Sequence, residues 1–278
     1  MNYLKLLIKT IITCALIYLL LINIDIKSAI DTVKDANLFF ILISIIALFL
    51  QTFLLVSKWY VLLPDDHTFF EAAKSYMIGI FIGSFTPLYS GEVSRGLYLK
   101  KDYLSKYIYL TIIDKYISLS IVIIFSLIGF IILTKNLLFI ILIVPIFIVT
   151  INFQKIILYL GKIKFLEKRK WLSTILLFFN NNNISIRSLL WNILLTFFSF
   201  IVLFCQEFLV IKSFYNDLPP IIITYFPLIT LSSIFPLTIS GIGVREGLAA
   251  ILFTRHNIPQ EVAVTSIFIW FLIAQIIP

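Results

Sequence analysis

A chain of 278 residues that is 61% hydrophobic and 13% charged, with a mean hydropathy of +1.07, does not belong with soluble domains, which carry roughly 25% charged and about 45–50% apolar residues. Its formal charge of +8 does not mark a nucleic-acid binder, because the basic residues cluster in short loops between apolar runs and read as topology determinants beside anionic lipid. Cys14 and Cys205 both fall inside apolar runs and supply neither a disulfide framework nor a metal site.

The first helix is expected over about residues 4–24. Lys5 and Lys9 precede its apolar stretch as in a signal peptide, but no small-residue cleavage pattern follows, so the helix is retained. Asp25, Lys27, Asp31, Lys34 and Asp35 read as a loop. A second helix, about 37–63, ends near Lys58, Trp59 and Pro64, an aromatic and cationic interface signature. Asp65, Asp66 and His67 open a polar turn; His67, like His256, is expected to face water. Residues 75–91 follow, uncharged but interrupted by Gly79, Gly83, Pro87 and Gly91, and then a basic stretch from Arg95 to Lys106.

Two full spans come next, about 107–133 and 136–153. Over 155–170, Ile156, Ile157, Leu160, Ile163 and Leu166 recur at helical spacing among basic residues, which predicts an amphipathic helix on the membrane surface. A fifth span covers about 188–211, a second broken segment 221–252, and a last helix 260–278. The abrupt end at Pro278 fits a fragment or an unusually packed final helix. Uncharged runs at 37–57, 116–134, 136–154 and 188–206 reach the roughly 20 residues that a helix needs to span hydrocarbon.

The two broken segments carry similar motifs, "FTPLYSGEVSRGL" at 85–97 and "FPLTISGIGVREGL" at 235–248. Pro and Gly occur nine times each, so their shared order with Arg carries the comparison. Basic loops put the N-terminus, 95–106 and 155–170 on the cytoplasmic side, so 75–91 must be a re-entrant hairpin. Three crossings then separate the motifs, which enter from opposite faces as an inverted-topology repeat. The expected fold is an all-α polytopic membrane protein in one domain, 1–278. It has about six full spans and broken hairpins, with halves over about 37–133 and 188–278.

Irregular backbone at membrane depth must line protein or a wet cavity. Pro87 and Pro236 remove donors. Gly91, Gly241 and Gly243 let the chain turn, and Ser90 and Ser240 are expected N-caps of restarting helices. Free N–H groups there, with Arg95 and Arg245 one turn in, favour an anion. Glu92 and Arg95 are spaced to pair, whereas adjacent Arg245 and Glu246 point to different partners. These four either form a network across a pseudo-two-fold axis or lock the hairpins permanently. Asp114 and Lys115 fit interfacial snorkelling or a cavity wall. Glu207, beside Gln206, fits an ion or proton site or a side chain reaching the surface.

"SFTPLYSGEVSRGLYLKK", "TIIDKYISL" and "FPLTISGIGVREGL" resemble the membrane region of the lysylphosphatidylglycerol synthase/flippase family. That region is shared by multiple peptide resistance factors, stand-alone membrane proteins and the membrane part of some archaeal glycosyltransferases. The resemblance covers most of the chain and implies Glu92, Arg95, Asp114, Arg245 and Glu246 as lining residues; Lys115 stands where Arg is expected. It implies movement of an anionic phospholipid or polyprenyl-phosphate headgroup between leaflets of the cell membrane, without the aminoacyl transfer of a separate soluble domain. The rival reading is an accessory, lipid-presenting subunit of a glycosyltransferase or other lipid-modifying enzyme; a duller one is a scaffold. With no metal-spaced His/Cys cluster, no nucleophile beside a base and no nucleotide-binding loop, neither catalysis nor a cofactor or metal is expected, and turnover is downhill or ion-coupled. Membrane lipids are the expected partners, with a glycosyltransferase or synthase and a second copy of the chain as candidate protein partners.

Overall fold

The computed structural model describes residues 3–22, 26–84, 86–99, 104–160, 184–233, 238 and 241–276. Among them no strand occurs. In chain order come α1 (Tyr3–Ile22), α2 (Ile26–Lys34), α3 (Leu38–Tyr60), α4 (Phe69–Ser84), a 3₁₀ segment (Pro87–Ser94) and α5 (Arg95–Tyr98). Then come α6 (Leu104–Thr134), α7 (Ile140–Leu160), α8 (Ile186–Phe214), a 3₁₀ segment (Pro220–Tyr225), α9 (Phe226–Ser232), α10 (Val244–Phe253) and α11 (Gln260–Ile276). Leu38–Tyr60, Lys106–Thr134 and Ile186–Phe214 are long and apolar enough to cross a membrane; Leu137–Phe153, Pro220–Ser232 and Gln260–Ala274 are shorter apolar helices. On α3, Phe39, Leu42, Ile46, Phe49 and Phe53 form an exposed stripe at helical spacing. Such a patch is tolerable only against lipid or a partner.

Helix ends follow local chemistry. Asn37 caps α3 by accepting from the Phe39 N–H (3.0 Å), and Ser185 caps α8 by accepting from the Ser188 N–H (3.0 Å). Thr68 and Glu71 exchange hydrogen bonds in a capping box at the start of α4. The stretch expected as a loop after the first helix is α2. Ile26, Ala29, Ile30 and Val33 recur at helical spacing there, and the alternating Asp and Lys had obscured that stripe. Residues 155–160 form the last turns of α7, so the expected surface helix does not begin at 155; its remainder, 161–170, lies outside the described residues.

Two apolar cores form. Trp59, Tyr76, Tyr107, Leu110 and Ile117 belong to the first, on α3, α4 and α6; Phe204, Ile211, Phe226, Phe253 and Trp270 belong to the second, on α8 to α11. They meet at Phe125 of α6, whose ring stacks on Phe197 (centroids 5.1 Å apart) and meets Phe204 edge-on (5.4 Å). The most extensive helix pairing is α3 with α8, tied at one end by the Asn37 N–H donating to the Ser213 carbonyl (2.7 Å).

Each half holds a His–Tyr pair at its broken segment. His67 Nε2 and the Tyr107 hydroxyl lie 2.7 Å apart, and the Tyr225 hydroxyl and His256 Nε2 2.9 Å. Neither histidine therefore simply faces water, as the loop reading expected. His67 is buried, with Asp66 and Glu71 carboxylates at 3.8 and 3.6 Å. In both pairs one partner opens the broken segment and the other follows it, so each bond closes a loop of the chain at its base.

Candidate functional site

The first break is built differently from a restarted α-helix. Thr86 is extended, as the residue before a proline must be, and Pro87 opens a 3₁₀ helix at its first position. This segment packs back along α4 as a hairpin. Ser90 lies inside it rather than at the start of an α-helix; the α-turn starts at Arg95, after Ser94, and is four residues long. Gly91 does not carry the positive φ that would mark it as a turning point. It serves close packing, since a Cβ there would lie 2.7 Å from the Ile82 carbonyl oxygen. Its N–H donates to Thr86 Oγ1 at 2.7 Å, so that donor of the expected anion cradle is taken from within the chain.

Arg95, fully buried, is held on all sides. One Nη donates to Asp114 Oδ2 (2.9 Å) and the other to Glu92 Oε2, as their spacing predicts for Glu92. The guanidinium lies over Tyr76 (4.2 Å to the ring centre) and Trp59 (5.3 Å). Gly79 leaves room for its stem, as a Cβ there would overlap Arg95 Cγ. Asp114 Oδ1 receives Lys58 Nζ (3.0 Å) and Asn192 Nδ2 (3.1 Å), and Lys115 Nζ pairs with Glu92 Oε1. All four carboxylate oxygens of this network are thus engaged; on Arg95 only Nε goes without a hydrogen bond. Among the described residues, three cations face two carboxylates.

Two members escaped the sequence reading. Lys58 is buried with Trp59 rather than placed at the interface. Lys58 also donates to Ser118 Oγ (2.8 Å), and Trp59 Nε1 to Ser75 Oγ (2.9 Å). Near a helix end, snorkelling and inward pairing share one sequence pattern. Asn192, an amide in an uncharged span, was the available signal.

The second break is opened by Gly241 (φ +74°) and Gly243 (φ +87°), conformations that favour glycine. A Cβ on Gly243 would lie 2.9 Å from Leu16 Cβ of α1. Pro236 and Ser240 lie outside the described residues. Gly243 is the N-cap of α10, and its N–H donates to Glu246 Oε2 (2.7 Å). Here too a side chain of the chain itself occupies the helix N-terminus. Arg245 diverges from Glu246 as expected and lies over Phe271 (4.4 Å) and Trp270 (5.8 Å). Glu207, expected near the surface or at an ion site, has no exposed area, and neither of its carboxylate oxygens has a hydrogen-bond partner; the same holds for both amide atoms of Gln206.

Both breaks open onto one cavity of about 420 Å³, whose wall includes Glu92 and Lys115 from the first half and Arg245 and Trp270 from the second, with Gln51 and Tyr76. Arg95, Asp114 and Glu246 stand behind this wall. The four-way cluster of Glu92, Arg95, Arg245 and Glu246 is therefore not what forms. Asp114 and the α10 cap claim Arg95 and Glu246 instead. The volume lies within the range of about 300–1,000 Å³ common to small-molecule sites. Among the described residues no group of three or more metal-ligating side chains occurs.

The chain matches the family model described as "Lysylphosphatidylglycerol synthase TM region" over residues 6–278. It belongs to the lysylphosphatidylglycerol synthase TM-region family. No curated protein and no solved structure matches it. The lysylphosphatidylglycerol synthase TM-region family is linked to membrane lipid flipping and modification, so the site of this membrane protein stands in a lipid context.

Proposed function

We propose that this chain carries an anionic lipid headgroup, on a phospholipid or a polyprenyl phosphate, between the leaflets of the cell membrane through the cavity between its halves. One observation supports this above the others: positions 130 residues apart in sequence, Lys115 and Arg245, stand on the wall of the same cavity. Lys115, whose side chain is 44% exposed, and Arg245 hold the phosphate, while Gln51 offers hydrogen bonds. The acyl chains stay in lipid, and no bond is made or broken. Arg95 and Asp114 position the wall rather than touch the headgroup.

The reading includes an inverted repeat of about six spans, with a cytoplasmic N-terminus and the two hairpins entering from opposite faces. Support comes from the order of elements, which is the same in both halves: a long helix, a broken segment, a final helix. Each half also sets an arginine over two aromatic rings and holds one His–Tyr bond.

Reconstitution in liposomes with a fluorescent phosphatidylglycerol tests the reading. Arg245→Ala and Lys115→Ala each remove a charge-assisted contact worth about 1.5–3 kcal/mol, which is about 10- to 100-fold in headgroup binding. Transfer should slow accordingly in both variants. Transfer at the parental rate in both would sink the assignment.

A further inference from the structure

We infer that the cavity selects a headgroup bearing hydroxyl groups beside its phosphate, such as a glycerol or sugar phosphodiester, over one bearing an amine, and that Gln51 and Thr52 read those hydroxyls. This rests on the translocation reading above. Leu48, Gln51, Thr52 and Leu55 all line the cavity. Their spacing of i, i+3, i+4 and i+7 makes them one face of α3, and the exposed apolar stripe of that helix lies on its other side. Polar side chains within a span that face a cavity mark a substrate path.

Hydroxyls on the other long helices, and elsewhere on α3, spend their donor locally. Ser44, Ser57, Ser118, Ser126 and Thr150 each donate to a carbonyl of their own helix. Thr52 does not, and among the described residues no hydrogen bond engages it or the Gln51 amide. Both side chains are half-buried. The amide offers donors and an acceptor, and the hydroxyl offers one donor and two acceptor lone pairs. A ligand hydroxyl satisfies this pair in both senses, donating to the Gln51 carbonyl oxygen and accepting from Thr52. From the second half, Thr230 lines the same cavity, and its hydroxyl too goes without a partner.

The same wall is ill suited to an amine. Among the described residues its charged members are Glu92, Lys115 and Arg245, two cations against one carboxylate. Both Glu92 oxygens are engaged, one by Arg95 and one by Lys115. Lys115 has three donors, so it can turn one toward a phosphate while it holds Glu92. An ammonium group entering with the headgroup meets two like charges and no open carboxylate, which discriminates against it. A neutral polyol meets no such repulsion.

The test reconstitutes the full chain in liposomes and follows three fluorescent lipids: phosphatidylglycerol, phosphatidylmethanol, which is anionic but has no hydroxyl, and phosphatidylethanolamine. The parent should move phosphatidylglycerol about threefold to tenfold faster than phosphatidylmethanol, the effect of one hydrogen bond, and phosphatidylethanolamine slowest. Gln51→Leu and Thr52→Val should each bring the ratio of the two anionic lipids toward one. The ratio is taken within one preparation, so a loss of folded protein slows both lipids alike and does not mimic that result. Equal rates for the two anionic lipids in the parent overturn the proposal, as does phosphatidylethanolamine moving as fast as phosphatidylglycerol, or a ratio that both variants leave unchanged. Native mass spectrometry of the lipid retained by the purified chain separates selection from translocation. If the parent moves no lipid yet retains phosphatidylglycerol over phosphatidylmethanol, and both variants lose that preference, translocation falls and selection stands. If all three lipids move at one rate that Arg245→Ala slows, selection falls and translocation stands.

Discussion

Arg95 and Arg245 occupy similar sequence surroundings and both lie over two aromatic rings, yet their carboxylate neighbours differ. Around Arg95 every oxygen of Glu92 and Asp114 is engaged, and Asn192 adds a neutral donor. In contrast, both oxygens of Glu207 and one of Glu246, the residue next to Arg245, accept no hydrogen bond. A buried network with all its acceptors filled has one stable arrangement, whereas one with unfilled acceptors is open to change. On the transport reading proposed above, the first cluster would hold the fold and the second would respond to a ligand.

The largest expected effect breaks the first cluster. Asp114→Ala leaves Arg95 and Lys58 buried without their shared acceptor and should cost about 3–5 kcal/mol, the cost of breaking a buried pair by removing one partner. Thermal unfolding in detergent would show it as a large drop in midpoint. Arg245→Ala, whose losses include cation–ring contact of about 0.5–2 kcal/mol, should shift the midpoint less. Equal shifts would erase the contrast between the clusters.

A smaller effect sharpens it. Asn192→Leu removes one donor to Asp114 and one to the Lys58 carbonyl, at about 1–3 kcal/mol. It should lower the unfolding midpoint while leaving the relative rates of Lys115 and Arg245 variants in lipid transfer unchanged. The smallest effect concerns the clasps: His67→Phe and His256→Phe should each cost about 1 kcal/mol, measured by the same unfolding. A large loss from one and none from the other would show that the two pairs are not equivalent.

Much of this was legible before any coordinates. The apolar runs, the two breaks and the Glu92–Arg95 pairing follow from length, proline and spacing alone. Less visible was what fills the breaks. Pro87 and Gly91 announce an interruption, but a 3₁₀ segment and a restarted α-helix share the same punctuation, so Ser90 looked like a cap. The choice between them is tertiary: Gly91 abuts Ile82 on α4 and its N–H is taken by Thr86. Lys58 shows the same limit, since its direction is set by Asp114, which lies on another helix. Glu246 reads as a cavity group in the motif, but Gly243 three residues earlier claims it as a cap.

The meeting of the two cores at Phe125 has a mechanical consequence. Flat rings lying face to face, as Phe125 and Phe197 do at 19° between planes, can slip sideways with little loss of dispersion contact, whereas interdigitated branched side chains must first separate. That aromatic seam is suited to act as a bearing. On the transport reading proposed above, swapping Phe197 for a bulky branched residue would turn a sliding joint into a ratchet.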